Sequence, residues 1–424
     1  MQSDIRFSVY EHTLVIKDNQ LISRKFIVLK DNAKHIVAWT DFHQYIRSGK
    51  NRLSRNFSDD GNMRFYSVCS FLNYAFFNKY AIKHLLDVDA QIVKDFLIDY
   101  GMGTLPGDTK DRTEATVNAC IMHIMDFVTI LVEKNQGKCR IKLQELYKEI
   151  KVYNSRKKRM EVKKIPAFDI RYTSIPREIF RDMPESVFSI LMSVIIQKYK
   201  DILMLTALGA FAGMRPSECC NVRRNDSKLG AGIRFVIVDG EVEDIIVDLT
   251  KELNLRSDLK NVGDIKKERT QRVYPAFLKA FYECYQIYMD YMEGKQYEAD
   301  YGALTVNKQG KALTYDNYYK KFQSVIKNVI PELLSSDDPE AVNYGHLLQE
   351  KNISPHILRH WFSVKLTLFG EDVSGLMYWR GDKSPESTLT YLQNKGDLEK
   401  QYAKVNNDIF DYSMWKARKL HKND

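Results

Sequence analysis

The chain has 424 residues, with 64 Lys and Arg against 55 Asp and Glu and a formal charge of +9; that length exceeds one ordinary core and implies two or three domains, while the charge favours a polyanionic partner. Its six cysteines, Cys69, Cys120, Cys139, Cys219, Cys220 and Cys284, form no C-x-x-C pair, which excludes a disulfide framework and reads as reduced thiols. The amino terminus lacks a secretory pattern, and no run approaches about 18 uncharged apolar residues, so a soluble cytoplasmic protein with no membrane partner is expected.

In chain order, Ile5 to Ala38 alternates loosely, with K-D-N-Q and K-D-N-A as turn signals, which predicts a small strand-rich extension over residues 1–38. From Trp39 the apolar spacing becomes three and four, as in A-T-V-N-A-C-I-M-H-I-M-D-F-V-T-I-L-V, predicting a bundle of about four helices over residues 39–150. Lys151 to Pro166 holds seven basic residues against one Glu. It reads as a basic linker over 151–175 in which Arg156, Lys157, Lys158, Arg159, Lys163 and Lys164 track phosphates, or else as a solvated helix end; composition fits both. Helical patterns resume at Pro184, a strand-rich insert covers I-R-F-V-I-V-D-G-E-V-E-D-I-I-V-D-L, and helices return near Ala276.

Three elements carry chemistry. In A-F-A-G-M-R-P-S-E-C-C an apolar helix stops at Gly213, and Arg215 stands three residues before Glu218. In S-P-H-I-L-R-H-W-F a helix begins at Ser354-Pro355 and sets His356 and Arg359 on one face. A guanidinium beside an imidazole suits a phosphate, because one forks onto two oxygens while the other exchanges a proton. His356 and His360 have zinc spacing, but the H-E-x-x-H glutamate is absent and Arg359 adds a positive charge, so no metal is expected. The third element, W-R-G-D-K-S-P-E-S-T-L-T-Y-L, leads through Gly381 to Tyr391. No G-x-x-x-x-G-K-[ST] loop supports nucleotide hydrolysis. Asp337 and Asp338 sit in a turn, and Cys219 and Cys220 read as packing.

The ordered set Arg215, His356-x-x-Arg359, Tyr391 resembles the tyrosine recombinase (phage integrase) family. The resemblance implies a mainly α fold with a small β-sheet (α+β): a helical core-binding domain, a mixed catalytic domain over residues 176–400, and a tail over 401–424 for protomer contacts. Glu218 and Asp226 match further family positions, and I-K-K-E-R-T-Q-R-V-Y-P resembles the hairpin that supplies a catalytic lysine, Lys267, with Lys266 its neighbour. One position departs: the family places His or Trp after the glycine, where this chain has Asp382, so that Asp382, Trp379 or Lys383 takes that place. The family chemistry implies attack by Tyr391 on a phosphodiester, giving a 3′-phosphotyrosyl link and a free 5′-hydroxyl without cofactor. In it Arg215 and Arg359 stabilise the transition state, His356 is the base, Lys267 protonates the leaving oxygen, and Glu218 orients Arg215 or His356. Implied partners are duplex DNA at specific sites, a homotetramer on paired sites, and accessory DNA-bending or directionality proteins. A binder that keeps the fold without the chemistry, a transposase and a type IB topoisomerase are the alternatives.

Overall fold

A computed structural model describes residues 5–16, 20–46, 59–108, 112–154, 159–170, 172, 183–250, 256, 258, 260–295 and 301–382. Tyr391, Arg156, Lys157, Lys158, Lys383 and the tail 401–424 lie outside these residues. The fold is mainly helical with small antiparallel sheets, the α+β class expected, and the chain divides into two compact units, Met1–Glu178 and Ile179–Asp424.

In the first unit, strands β1 (Arg6–Ile16), β2 (Gln20–Lys30) and β3 (Ile36–Trp39) form a sheet in that order, with Tyr10 opposite Phe26 and Val28 opposite Trp39. It is not a separate extension. Phe7 and Ile27 point from one face into the same core as Phe71, Phe96 and Phe127. The described residues of 39–150, where about four helices were expected, supply three long helices, α1 (Asp59–Asn73), α2 (Ala90–Gly101) and α3 (Glu114–Lys134), and one single-turn helix. The Asn73 amide, at the end of α1, bonds both the N–H and the carbonyl of Phe7 at 2.8 and 2.9 Å, satisfying the outer edge of β1. Helix α3 corrects the sequence reading in one respect, because by length and composition it is apolar enough to cross a membrane. Here Val117, Ile124, Phe127, Val128 and Leu131 face the core, and buried His123 pairs with Ser67 at 3.0 Å.

A one-turn helix α4 (Leu143–Leu146) leads into β4 (Tyr147–Asn154) and β5 (Arg159–Pro166), an antiparallel ladder running from Tyr147–Pro166 to Asn154–Arg159. Much of the segment expected as a basic linker, residues 151–175, takes part in this antiparallel β4–β5 pair, within the first unit. Its Val, Ile and Tyr residues favour a pleated backbone, and its lysines read as a charge run only in one dimension. Tyr153, Met160 and Val162 are about 60 % exposed on it, among Lys148, Lys151, Arg159 and Lys164.

The second unit is built around α6 (Leu203–Phe211), all nine residues of which are buried. The earlier helix α5 (Glu185–Lys198) brings Phe188 flat against Trp361, with ring centroids 3.9 Å apart. After the short α7 (Pro216–Cys219), strands β6 (Ile233–Val238), β7 (Glu241–Asp248) and β8 (Thr270–Arg272) form a three-stranded antiparallel sheet. Helices α8 (Leu278–Met292), α9 (Tyr315–Leu334), α10 (Pro339–Glu350), α11 (His356–Leu368) and α12 (Val373–Arg380) complete the unit. Helices α6 and α11 lie close, with Gly209 against Leu358. At Gly213 φ is +60°, and a Cβ there would stand 2.4 Å from the Phe362 ring. The glycine that stops α6 thus both turns the chain and admits α11.

Candidate active site

The G-x-R-P-x-E spacing has a local cause. Pro216 opens α7, and the Glu218 carboxylate reaches back to the Arg215 backbone N–H at 3.2 Å, as an N-terminal capping residue does. The other oxygen, Oε1, accepts from the Arg215 guanidinium at 3.1 Å. Glu218 is fully buried, and Arg269, just before β8, grips both of its oxygens at 3.1 and 2.8 Å. Arg269 was not singled out from the sequence. Strand alternation carries its signal, since Gln271 and Val273 are buried at two-residue spacing and Arg269 continues that row.

Arg359, one turn into α11, is 1 % exposed. Its Nη1 donates to the carbonyls of Gly213 and Arg380, tying it to the ends of α6 and α12. Its Nη2 donates to Asp382 Oδ1 at 2.6 Å, and Arg215 Nη2 donates to the same oxygen at 2.7 Å. Arg380 Nε lies 3.0 Å from Asp382 Oδ2. The departure at Asp382 is thereby accounted for: the carboxylate turns inward and is paired. Gly381 makes this turn, in the left-handed region with φ +64°. A Cβ there would meet Arg269 Nε at 2.4 Å. Gln271 bonds both Arg269 Nε (2.8 Å) and the Trp379 carbonyl (2.5 Å), joining β8 to the end of α12. The Trp379 ring packs edge-on against Tyr274 at 5.0 Å.

Lys267 and Asp382 line one cavity of about 480 Å³ with Arg269, Gln271, Trp379 and Tyr378. Lys266 beside it is exposed. Among the described residues lining this cavity, Tyr378 is the single tyrosine, 66 % exposed. Asp226 pairs with Arg224 at 2.7 Å.

The electrostatics follow from burial. His356 is pushed down to about 4, first by loss of solvent and then by Arg359, Arg380 and Arg215, so its imidazole is neutral near pH 7. Burial raises Glu218, but Arg269, Arg215 and Arg359 outweigh it and hold the carboxyl down at about 2. Burial and the neighbouring Arg215 and Arg380 bring Arg359 down to about 9, which leaves it charged at neutral pH. These shifts set a pH profile. Below pH 6.5 the unfolded chain protonates His356 while the folded chain resists until about 4, so stability falls across that window. Glu218 stabilises above its ordinary 4.5, and that contribution is lost as pH falls towards 2. Urea midpoints measured from pH 7 to 4 should therefore decline, and His356→Asn should flatten the part between 6.5 and 4.

No family model matches the chain. No curated protein matches it either. The XerH site-specific recombinase bound to difH substrate, in a pre-cleavage complex, is 17 % identical with a TM-score of 0.45, covering 78 % of this chain and 76 % of that one. The Tn1549 transposon integrase in complex with circular intermediate DNA is 15 % identical with a TM-score of 0.48, covering 79 % and 90 %. XerA recombinase is 13 % identical with a TM-score of 0.33, covering 86 % and 93 %. These three solved structures are two recombinases and a transposon integrase, all distant in sequence.

Proposed function

We propose that the chain is a tyrosine recombinase that cuts and rejoins duplex DNA at specific sites through a 3′-phosphotyrosyl intermediate. One observation carries the reading. Two guanidiniums, Arg215 from the α6–α7 junction and Arg359 from α11, converge on a single anionic oxygen, with the half-buried neutral His356 at the head of α11. A phosphodiester gains negative charge as it is attacked, so such a pair stabilises the transition state more than the ground state. His356 takes the proton of Tyr391, and Lys267 gives one to the leaving 5′-oxygen. The phosphotyrosyl bond conserves the energy of the broken bond, so the cycle needs neither nucleotide nor metal. A nicked suicide duplex tests this: a denaturation-resistant protein–DNA adduct is expected.

A second reading, a DNA binder that keeps the fold without the chemistry, is favoured by Asp382 in the arginine pair; it leaves no adduct. A transposase or type IB topoisomerase would form the adduct too. Comparing relaxation of supercoiled DNA with recombination of two sites separates these from a site-specific recombinase. By this reading the protein works in the cytoplasm, on the nucleoid when bound to DNA, as a tetramer on paired sites, helped by DNA-bending or directionality proteins.

The basic run over residues 151–175 belongs to the same proposal. Replacing Arg156, Lys157, Lys158 and Arg159 by Gln should weaken specific and random duplexes alike, and the slope of log affinity against log salt should fall by about one unit for each phosphate no longer neutralised. An unchanged slope would make the basic run an ordinary solvated stretch.

A further inference from the structure

The geometry points to Asp382 as an internal stand-in for the substrate phosphate: its Oδ1 holds the place between Arg215 and Arg359 where a non-bridging phosphate oxygen binds, and a phosphodiester enters only as Asp382 leaves. This rests on the proposed reading of the site as a phosphodiester site and adds how the site is kept before DNA arrives.

The carboxylate and the phosphodiester present the same chemistry, two oxygens sharing one negative charge. Asp382 uses them as a bound phosphate would, Oδ1 accepting from both Nη2 groups at 2.7 and 2.6 Å and Oδ2 facing Arg380 at 3.0 Å. The side chain is 7 % exposed and the Arg359 side chain 1 % exposed, so the pairing is made away from water, where it is stronger than at a surface. A second anion cannot share that oxygen position without like-charge repulsion. Arg215 is held by Glu218 as well, and Arg359 by the Gly213 and Arg380 carbonyls, so their alignment outlasts the departure of Asp382. The carboxylate follows Gly381, which turns left-handed at the end of α12 while the Asp382 N–H bonds the Met377 carbonyl, so Asp382 leaves by rotating its side chain and the cap of the helix stays in place. In the resting protein the arginines are therefore held apart from solvent and aligned, and the phosphate displaces a ligand already in place.

Competition of this kind lowers apparent affinity by the fraction of molecules in which the site is open, so a site self-occupied about nine-tenths of the time binds about tenfold more weakly. The test uses the full chain and inorganic phosphate at constant ionic strength, with binding followed by calorimetry. Asp382→Asn and Asp382→Ser should each bind phosphate about tenfold or more tightly than the native chain. Equal or weaker binding by a folded variant would overturn the inference, as would a lack of phosphate binding in all three proteins. Should neither variant fold, the native chain decides: on saturation with phosphate the 13C resonance of the Asp382 carboxyl should shift, and phosphate binding that leaves it unmoved sinks the idea. Adduct formation on the nicked duplex reads the other proposal separately. Tighter phosphate binding without adduct keeps the stand-in and removes the recombinase, and adduct with unchanged phosphate binding does the reverse.

Discussion

Tyr391→Phe is expected to reduce covalent adduct on a nicked suicide duplex to background while leaving affinity for the same duplex within about twofold, since the change removes one hydroxyl and no charge at neutral pH. A phenol with an ordinary value of about 10 attacks near neutrality only with a base and a positive field beside it. On the proposed reading the neutral His356 and the two arginines furnish both, so the chemistry, and not the binding, should depend on the phenolic oxygen. The informative comparison is with Tyr378→Phe, because Tyr378 lines the cavity that also holds Lys267 and Asp382. Adduct that persists in Tyr391→Phe and vanishes in Tyr378→Phe would move the nucleophile to α12.

What the sequence disclosed and what it hid follow from the range of the interactions. The Arg215–Glu218 spacing is legible because it is a local device, a proline at the first helical position and a glutamate three residues after the arginine, closing on the arginine's own N–H. His356 and Arg359 are legible because three residues along a helix bring side chains to one face. Arg269 acts across chain distance, on Glu218 from the edge of β8, and a string such as K-K-E-R-T-Q-R offers several cations of equal standing until the strand's two-residue alternation is applied. Asp382 stood out as a departure, but its direction depends on Gly381 turning left-handed against Arg269, which no local pattern reveals. The basic run misled because its charge drew attention from the Ile150, Val152, Tyr153 and Val162 that make much of it a strand pair. The first strands misled differently: their alternation is visible, but not that Phe7 and Ile27 close the helical core.

The charges of the site have a common logic. Four guanidiniums, those of Arg215, Arg269, Arg359 and Arg380, face two carboxylates, Glu218 and Asp382. Glu218 is fixed by the fold through the α7 cap and the Arg269 clamp, whereas Asp382 hangs on a glycine. One carboxylate is thus permanent and the other exchangeable. A phosphodiester replacing Asp382 restores the resting balance, and the charge it gains on attack meets the remaining positive surplus.

Glu218→Gln is expected to lower unfolding stability by roughly 3–5 kcal/mol, the size of effect seen when one partner of a buried ion pair is removed. The fully buried carboxylate bonds Arg215 at 3.1 Å and Arg269 at 3.1 and 2.8 Å, and the amide keeps the shape of the group but loses its charge and one acceptor. Arg269, 9 % exposed, then lies buried beside Arg215 and Arg359 without its carboxylate, so the loss comes from repulsion and from desolvated charge. A double variant distinguishes this from simple disruption of packing. Glu218→Gln with Arg269→Gln removes both charges of the clamp and should recover about half or more of the lost stability, because neutralising both partners of a buried pair is far less costly than stranding one. Urea unfolding of the native chain, both single variants and the double variant completes the cycle. A single variant within about 1 kcal/mol of native, the usual worth of an exposed pair, would show that the clamp is solvated. A double variant no more stable than Glu218→Gln would trace the loss to the α7 cap, through the Arg215 N–H that Glu218 accepts, and not to the buried charge.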